Sequence, residues 1–160
     1  RFGSGRTGIP FHGDRSGVNF ERLLNHVGFS RKDIFITNAV LCNPLKDGNN
    51  RRPTTKEIDN CIPFLETLIN IITPKIISTV GGVGLEAINR IFETRYKLAD
   101  VVASPLPIGK FILFPLYHPS PRVIYTRRSL DHQKKDFEKL LTNLPLSSQL
   151  RTTKEQLRHN

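Results

Sequence analysis

The sequence contains no methionine and no tryptophan, only two cysteines, and 14 acidic residues against 24 lysines and arginines. Each shortage excludes something. Two thiols, Cys42 and Cys61, cannot build the disulfide framework of a small secreted domain and read first as reduced cysteines. No apolar run approaches the roughly 18 residues of a membrane span, and no basic-then-apolar leader opens the chain, so a soluble, cytoplasmic protein without membrane association is expected. With Arg1 in first place and no methionine anywhere, a natural translation start is expected upstream. The shortage of acid leaves a formal net charge of +10. That charge points to a polyanionic partner, because Lys and Arg gain affinity for a phosphate backbone by releasing its condensed counterions. Nucleic acid is preferred over an anionic membrane, since there is neither a long lysine run nor a basic amphipathic helix. A merely soluble or ribosomal basic protein is the plain alternative.

What is present reads as a single domain over residues 1–144, followed by a polar tail at 145–160. Residues 1–17 hold five glycines and read as an ordered loop. Phe20, Leu23, Leu24 and Val27 fall at helical spacing before a stop at Gly28. Ile34–Val40 is expected to be a strand, and 43–53 a polar, basic surface loop. Thr54 and Glu57 have capping-box spacing ahead of a long helix faced by Ile58, Cys61, Ile62, Leu65, Leu68, Ile69 and Ile72, with a bend expected at Pro63. Lys75–Val80 and Phe111–Leu116 read as buried strands. Leu85, Ile88 and Ile91 suit a shorter helix, and Ser129 can cap a last one. Alternating helices and strands require crossover connections, hence an α/β fold: a three-layer αβα sandwich around a short, mainly parallel sheet. Three strands are few for such a sheet, and a strand just before Arg1 would complete the pattern.

His118 follows the last strand, and Asn38 stands near the end of the first; in open α/β sheets such carboxyl ends carry the ligand site. His118 could equally be a structural hydrogen-bonder, and Asn38 could satisfy a turn, although its amide can read a pyrimidine edge. Phe11, among glycines, could stack on a base or anchor the core. Asp14 could cap the first helix or orient a water. Gly81-Gly82-Val83-Gly84 follows a strand but lacks dinucleotide or Walker spacing, so a tight turn is preferred to a phosphate cradle. The segment Pro119-Ser120-Pro121-Arg122-Val123-Ile124-Tyr125-Thr126-Arg127-Arg128 is stiffened by prolines, its apolar residues could wedge into a base stack and its arginines could hold phosphates on either side, which suits an enzyme that holds DNA bent around one extruded nucleotide.

Taken in order, GRTGIPFHGDRSG, ITNAVLCNP, DNCIPFL, PKIISTVGG and YHPSP resemble the uracil-DNA glycosylase superfamily, in particular its iron-sulfur families 4 and 5. The resemblance covers nearly the whole chain, and GDRSG leans toward family 5. It implies a monofunctional glycosylase of base-excision repair that acts on uracil in DNA and leaves an abasic site. The protein would be monomeric and nucleoid-associated, and no lysine is placed for lyase chemistry. By resemblance, Phe11 stacks on the flipped base and Asn38 bonds its edge. His118 would stabilise charge on uracil O2, Asp14 would position or activate water, and Pro119 to Arg122 would belong to the intercalating loop. Cys42 and Cys61 resemble two of the four thiolates of a [4Fe-4S] cluster, the other two and the family's first motif being expected upstream of Arg1. A nucleic-acid-binding member of the superfamily that has lost catalysis is the principal alternative. A nucleotide-binding protein using Gly81 to Gly84 is a third reading. A subtype that bonds covalently to DNA through a histidine is disfavoured, because the 43–53 loop has none.

Overall fold

A computed structural model describes residues 7–144. The expectations for residues 1–6, for the 145–160 tail and for a strand before Arg1 lie outside the described residues.

A three-stranded sheet organises the fold: β3 (Ile76–Val80), β5 (Phe111–Leu116) and β4 (Leu106–Ile108), in the order β3-β5-β4. β3 and β5 are parallel, with Ile76 opposite Ile112 and Val80 opposite Leu116. β4 is antiparallel to β5, an edge that the sequence reading did not anticipate. The period-2 rule sorts β5 into two faces. Phe114 and Leu116 pack with Phe20, Leu23 and Leu24 of α1 (Arg15–His26) and Phe137 of α6 (Leu130–Thr142). Phe111 and Leu113 pack with Ile69 of α2 (Thr55–Ile72) and Leu85 and Ile88 of α3 (Gly82–Ile91). Helices on both faces of one sheet make the expected αβα sandwich. Pro115 fits inside the central strand because β4 pairs only as far as Leu113; beyond it the Pro115 carbonyl accepts from Ala103 N–H at 2.8 Å.

Local signals account for most helix bounds. Asp14 caps α1, and Gly28 follows it at φ +77°. Thr54 and Glu57 form the capping box of α2 reciprocally, and the helix runs through Pro63 to Ile72. Ser129 caps α6 by accepting from His132 N–H. The 43–53 segment holds a two-residue hairpin, β1 (Leu45–Lys46) with β2 (Asn49–Asn50), turned at Asp47-Gly48, both at positive φ as such turns require. A short helix, α4 (Leu98–Val101), leads toward β4.

One expectation fails. Ile34–Val40 is not a strand; it follows a 3₁₀ turn at Arg31–Asp33 and bonds to no neighbouring strand. The physical reason lies in its surroundings. A strand is defined by its ladder, and between this segment and β3 there is a cavity of about 1900 Å³ lined by both. Ile34 and Ile36 still pack on the α1 side of the core, whereas Phe35 is 62% exposed. The segment has the side-chain alternation of a strand and lacks a backbone partner among the described residues.

Candidate active site at the carboxyl end of the sheet

β3 and β5, running parallel, deliver their following turns to the same place. The Gly81 N–H donates to Leu116 O at 2.8 Å, tying the turn after β3 to the end of β5. Gly81 sits at φ +99°, and a Cβ there would lie 3.1 Å from the His118 Cβ. Glycine is thus needed both for the backbone angle and for the close approach of the histidine. This role, and not phosphate cradling, is what the structure supports for the Gly81-Gly82 turn.

His118 is half-buried, and the Ser120 main-chain N–H donates to its Nδ1 at 3.1 Å. A nitrogen that accepts cannot carry the proton, so the neutral ring holds its hydrogen on Nε2 and presents that atom as a donor. Burial pushes the His118 pKa down from its ordinary value, and the nearby Asp14 carboxylate opposes this. Burial prevails: the imidazole is held neutral. Phe11 stacks on Phe20 with centroids 4.4 Å apart and lies 5.3 Å from the His118 ring. One face of Phe11 is therefore covered, and a planar ligand has only the other to stack on.

The loop that carries Phe11 is held from two sides. Arg31 donates to the Pro10 carbonyl at 2.9 Å and also to the Phe11 carbonyl, while pairing with Glu21. Gly17 of α1 lies under the same carbonyl, where a Cβ would be 2.5 Å from Phe11 O. Gly17→Ala is accordingly expected to cost about 1–3 kcal/mol through overpacking, outweighing the ~1 kcal/mol that alanine gains in a helix. It should also displace the Phe11 ring. Thermal unfolding and the proton chemical shifts of the Phe11 ring would measure the two effects.

Asp14 does cap α1, its Oδ1 accepting from Gly17 N–H at 2.8 Å, and it is also near enough to His118 to act on its titration. Both readings of Asp14 are compatible with one position. Asn38 is exposed on the wall of the large cavity that Phe11 and His118 also line, and its carboxamide makes no hydrogen bond among the described residues. The turn-satisfying reading of Asn38 is thereby corrected. Phe11, Asp14 and His118 are brought together, and Asn38 lines the same cavity as Phe11 and His118.

The segment after His118 departs from the expected loop. Pro121–Thr126 is a helix, α5, with Ser120 as its cap, accepting from Val123 N–H, and Pro121 in its first turn. Pro119 is fully buried, and its carbonyl accepts from Asn19 Nδ2 at 2.9 Å. Pro119 and Ser120 thus fasten the fold around His118, Pro119 fully buried and Ser120 half-buried. Arg128 is also committed internally: its Nε donates to Asp136 Oδ2 at 2.8 Å and its Nη2 to Oδ1 at 2.5 Å, with Asp136 1% exposed. Arg122 and Arg127 are exposed and have no acidic partner among the described residues.

Cys42 is exposed and Cys61 is buried on α2, where Leu41 N–H donates to its Sγ at 3.4 Å. That bond holds the 41–42 turn against the helix. Amide donation to sulfur suits thiolates that bind an iron-sulfur cluster, but two donors are half of the four required. No group of three or more His, Cys, Asp or Glu able to hold a metal ion occurs among the described residues. The donors fit such a cluster in kind and not in number.

Sequence reasoning missed Arg31, Gly17 and Asn19 as supports of the site. A glycine inside an otherwise regular helix was the one available signal, and it marks a close approach. No helix of the described residues is long and apolar enough to cross a membrane.

The αβα sandwich thus brings a neutral histidine, a stacked phenylalanine and an unbonded carboxamide to one cavity at the carboxyl end of its sheet. Residues 1–144 match the family model of the uracil DNA glycosylase superfamily, and the chain belongs to that superfamily. It is 31% identical over 140 residues to a type-4 uracil-DNA glycosylase of Sulfurisphaera tokodaii, covering 84% of this chain and 62% of that protein. It is 33% identical over 148 residues to the type-4 protein of Saccharolobus solfataricus, covering 88% and 67%. A type-5 uracil-DNA glycosylase of Thermus thermophilus matches at 30% over 142 residues, covering 79% and 63%. The chain thus spans about 62% of the length of the Sulfurisphaera relative.

Proposed function

We propose that this protein is a monofunctional uracil-DNA glycosylase, binding uracil-containing DNA and hydrolysing the bond between uracil N1 and the sugar C1′. The observation that carries this reading is the Ser120–His118 hydrogen bond, which fixes a neutral imidazole with Nε2–H as donor beside an aromatic face. The base everts, stacks on the free face of Phe11 and is read along its edge by Asn38. As C1′–N1 breaks, its electron pair leaves with the uracil and the sugar becomes oxocarbenium-like. A donor at uracil O2 then stabilises the growing negative charge more than it stabilises the bound substrate, and this difference lowers the barrier. Water adds its oxygen to C1′, and Asp14, with one oxygen engaged as a helix cap, orients that water and can take its proton. The products are free uracil and an abasic site. Cys42 and Cys61 would supply half the ligands of a [4Fe-4S] cluster in an assembly with two more thiolates, and none of these steps passes through it.

The test is release of uracil from a synthetic oligonucleotide by the wild-type protein and by Asn38→Ala. Wild-type turnover with at least a tenfold loss in Asn38→Ala supports the reading. Binding to DNA with no release would favour a non-catalytic member of the superfamily.

The low pKa of His118 sets a pH dependence with a definite sign. Protonation would place a hydrogen on Nδ1, facing the Ser120 N–H, so acid disrupts the site. Because the folded pKa lies below the unfolded value near 6.5, the neutral form's contribution to stability is complete above pH 6.5 and is lost as pH falls toward the folded value. The acid limb of kcat/KM should likewise be centred below pH 6.5. An acid limb centred at or above 6.5 would contradict this assignment.

A further inference from the structure

Resting on that reading, we propose that Arg31 is a positioning residue for uracil excision: its guanidinium holds the Phe11 backbone in a left-handed conformation and so places the ring on which the everted base stacks. Phe11 has φ +52°, a region that a bulky aromatic residue rarely occupies. A residue persists there only where its surroundings hold it. The consecutive carbonyls of Pro10 and Phe11 both accept from Arg31 Nη2, the first at 2.9 Å, so the two face the same cation. Arg31 Nε pairs with Glu21 of α1, which fixes the guanidinium plane against the first helix. The clamp thus runs from a helix, through a planar cation, to the main chain of the stacking residue.

The ring is tied to the same cation as the backbone. Phe20 carries Phe11 stacked at 4.4 Å with 18° between the planes, and the Arg31 guanidinium carbon lies 6.0 Å from the Phe20 centroid. The Phe11 ring stands 5.3 Å from that of His118, at 38° to it. A turn of the Phe11 peptide out of the left-handed region would therefore change where a stacked base lies relative to the Nε2–H donor. The rival role for an arginine in a protein of net charge +10 is a phosphate contact. Against it, the Arg31 side chain is only 27% exposed, and its Nε and Nη2 donors are spent inside the protein. A lysine would carry the charge, but it could not bond Glu21 and both carbonyls from one rigid plane. The effect of Arg31 thus belongs to the rate of excision and not to affinity for DNA.

The experiment compares Arg31→Ala, Arg31→Lys, Phe11→Ala and the double variants Arg31→Ala/Phe11→Ala and Arg31→Lys/Phe11→Ala with wild type, each below its own Tm. Two readouts are used: single-turnover release of uracil, and fluorescence-anisotropy binding to a duplex with a tetrahydrofuran abasic analogue. Arg31→Ala should slow release about tenfold, the scale of one lost base–aromatic stack. Duplex affinity should stay within about twofold of wild type, with the same slope of log affinity against log salt. Arg31→Lys should regain less than about threefold of the lost rate. In the Phe11→Ala background either change at Arg31 should slow release by less than about twofold more, because a cation that acts through the ring has nothing left to place. Losses that multiply in the double variants, a shallower salt slope, or full recovery in Arg31→Lys would overturn the assignment. If Arg31→Ala does not fold, the cycle on Arg31→Lys decides alone. The proton shifts of the Phe11 and Phe20 rings should also move in Arg31→Lys, and unmoved shifts would count against the clamp. Failure of the glycosylase reading looks different: no uracil release by the wild-type protein, with the ring shifts of Arg31→Lys still moved.

Discussion

Replacing His118 by alanine is expected to lower the single-turnover rate of uracil release by about 10²–10³-fold, equivalent to about 2.7–4 kcal/mol, with little change in affinity for the DNA. The size follows from the setting of the imidazole. Its Nδ1 is occupied by the Ser120 N–H, so the remaining nitrogen is a donor by necessity, and half-burial behind Phe11 reduces competition from water. A donor fixed before the reaction needs no reorganisation when charge appears on the base. Because the charge develops only as the bond breaks, the loss should fall on the chemical step and leave binding nearly intact. Rapid-quench release assays beside anisotropy titrations separate the two. A His118→Ala protein that releases uracil within threefold of the wild-type rate would remove His118 from the chemistry.

The largest structural effect is expected at Arg128. Cutting it to alanine strands the Asp136 carboxylate, 1% exposed, without the two bonds that its oxygens now accept. Breaking one side of a buried ion pair typically costs 3–5 kcal/mol; with a quarter of the Arg128 side chain reached by water, about 3 kcal/mol is expected. For a domain of this size that corresponds to a fall in Tm of roughly 6–12 °C. The double variant Arg128→Ala/Asp136→Leu should recover much of the loss, since it leaves no unpaired charge inside. The same pair of variants distinguishes this role from DNA contact. If Arg128→Ala kept the wild-type Tm and lost only affinity for DNA, the side chain would belong to the surface after all.

The site was legible in the sequence to the extent that its residues stand at ends of apolar runs. His118 was found because Phe111–Leu116 is a strand and something polar had to follow it, and Asn38 by the same logic, although its own segment forms no ladder. Phe11 and Asp14 stood out from a glycine-rich loop too long to be idle. The supports were not legible. Arg31 reaches the Phe11 loop across 20 residues of sequence, and Asn19 reaches Pro119 across 100. Arg128 looked like a free cation because nothing in its neighbourhood reveals that Asp136, two turns along the next helix, is turned inward.

Periodicity, caps and turn residues act within a few residues of one another, and the sequence by itself determined what they govern: the first helix from Phe20 onward, although its start at Arg15 lies inside the expected 1–17 loop, the long and the last helices, the parallel pair of strands, and the strand-end position of the histidine. Tertiary structure alone decided which polar groups are consumed inside the fold and which stay available. It put Pro119, Ser120 and Arg128 to structural use, freed Asn38, set the tautomer of His118, and withheld a ladder from Ile34–Val40. The reason is that hydrogen-bond and ion-pair partners are chosen by distance in space, and a strand exists only where another backbone lies alongside it.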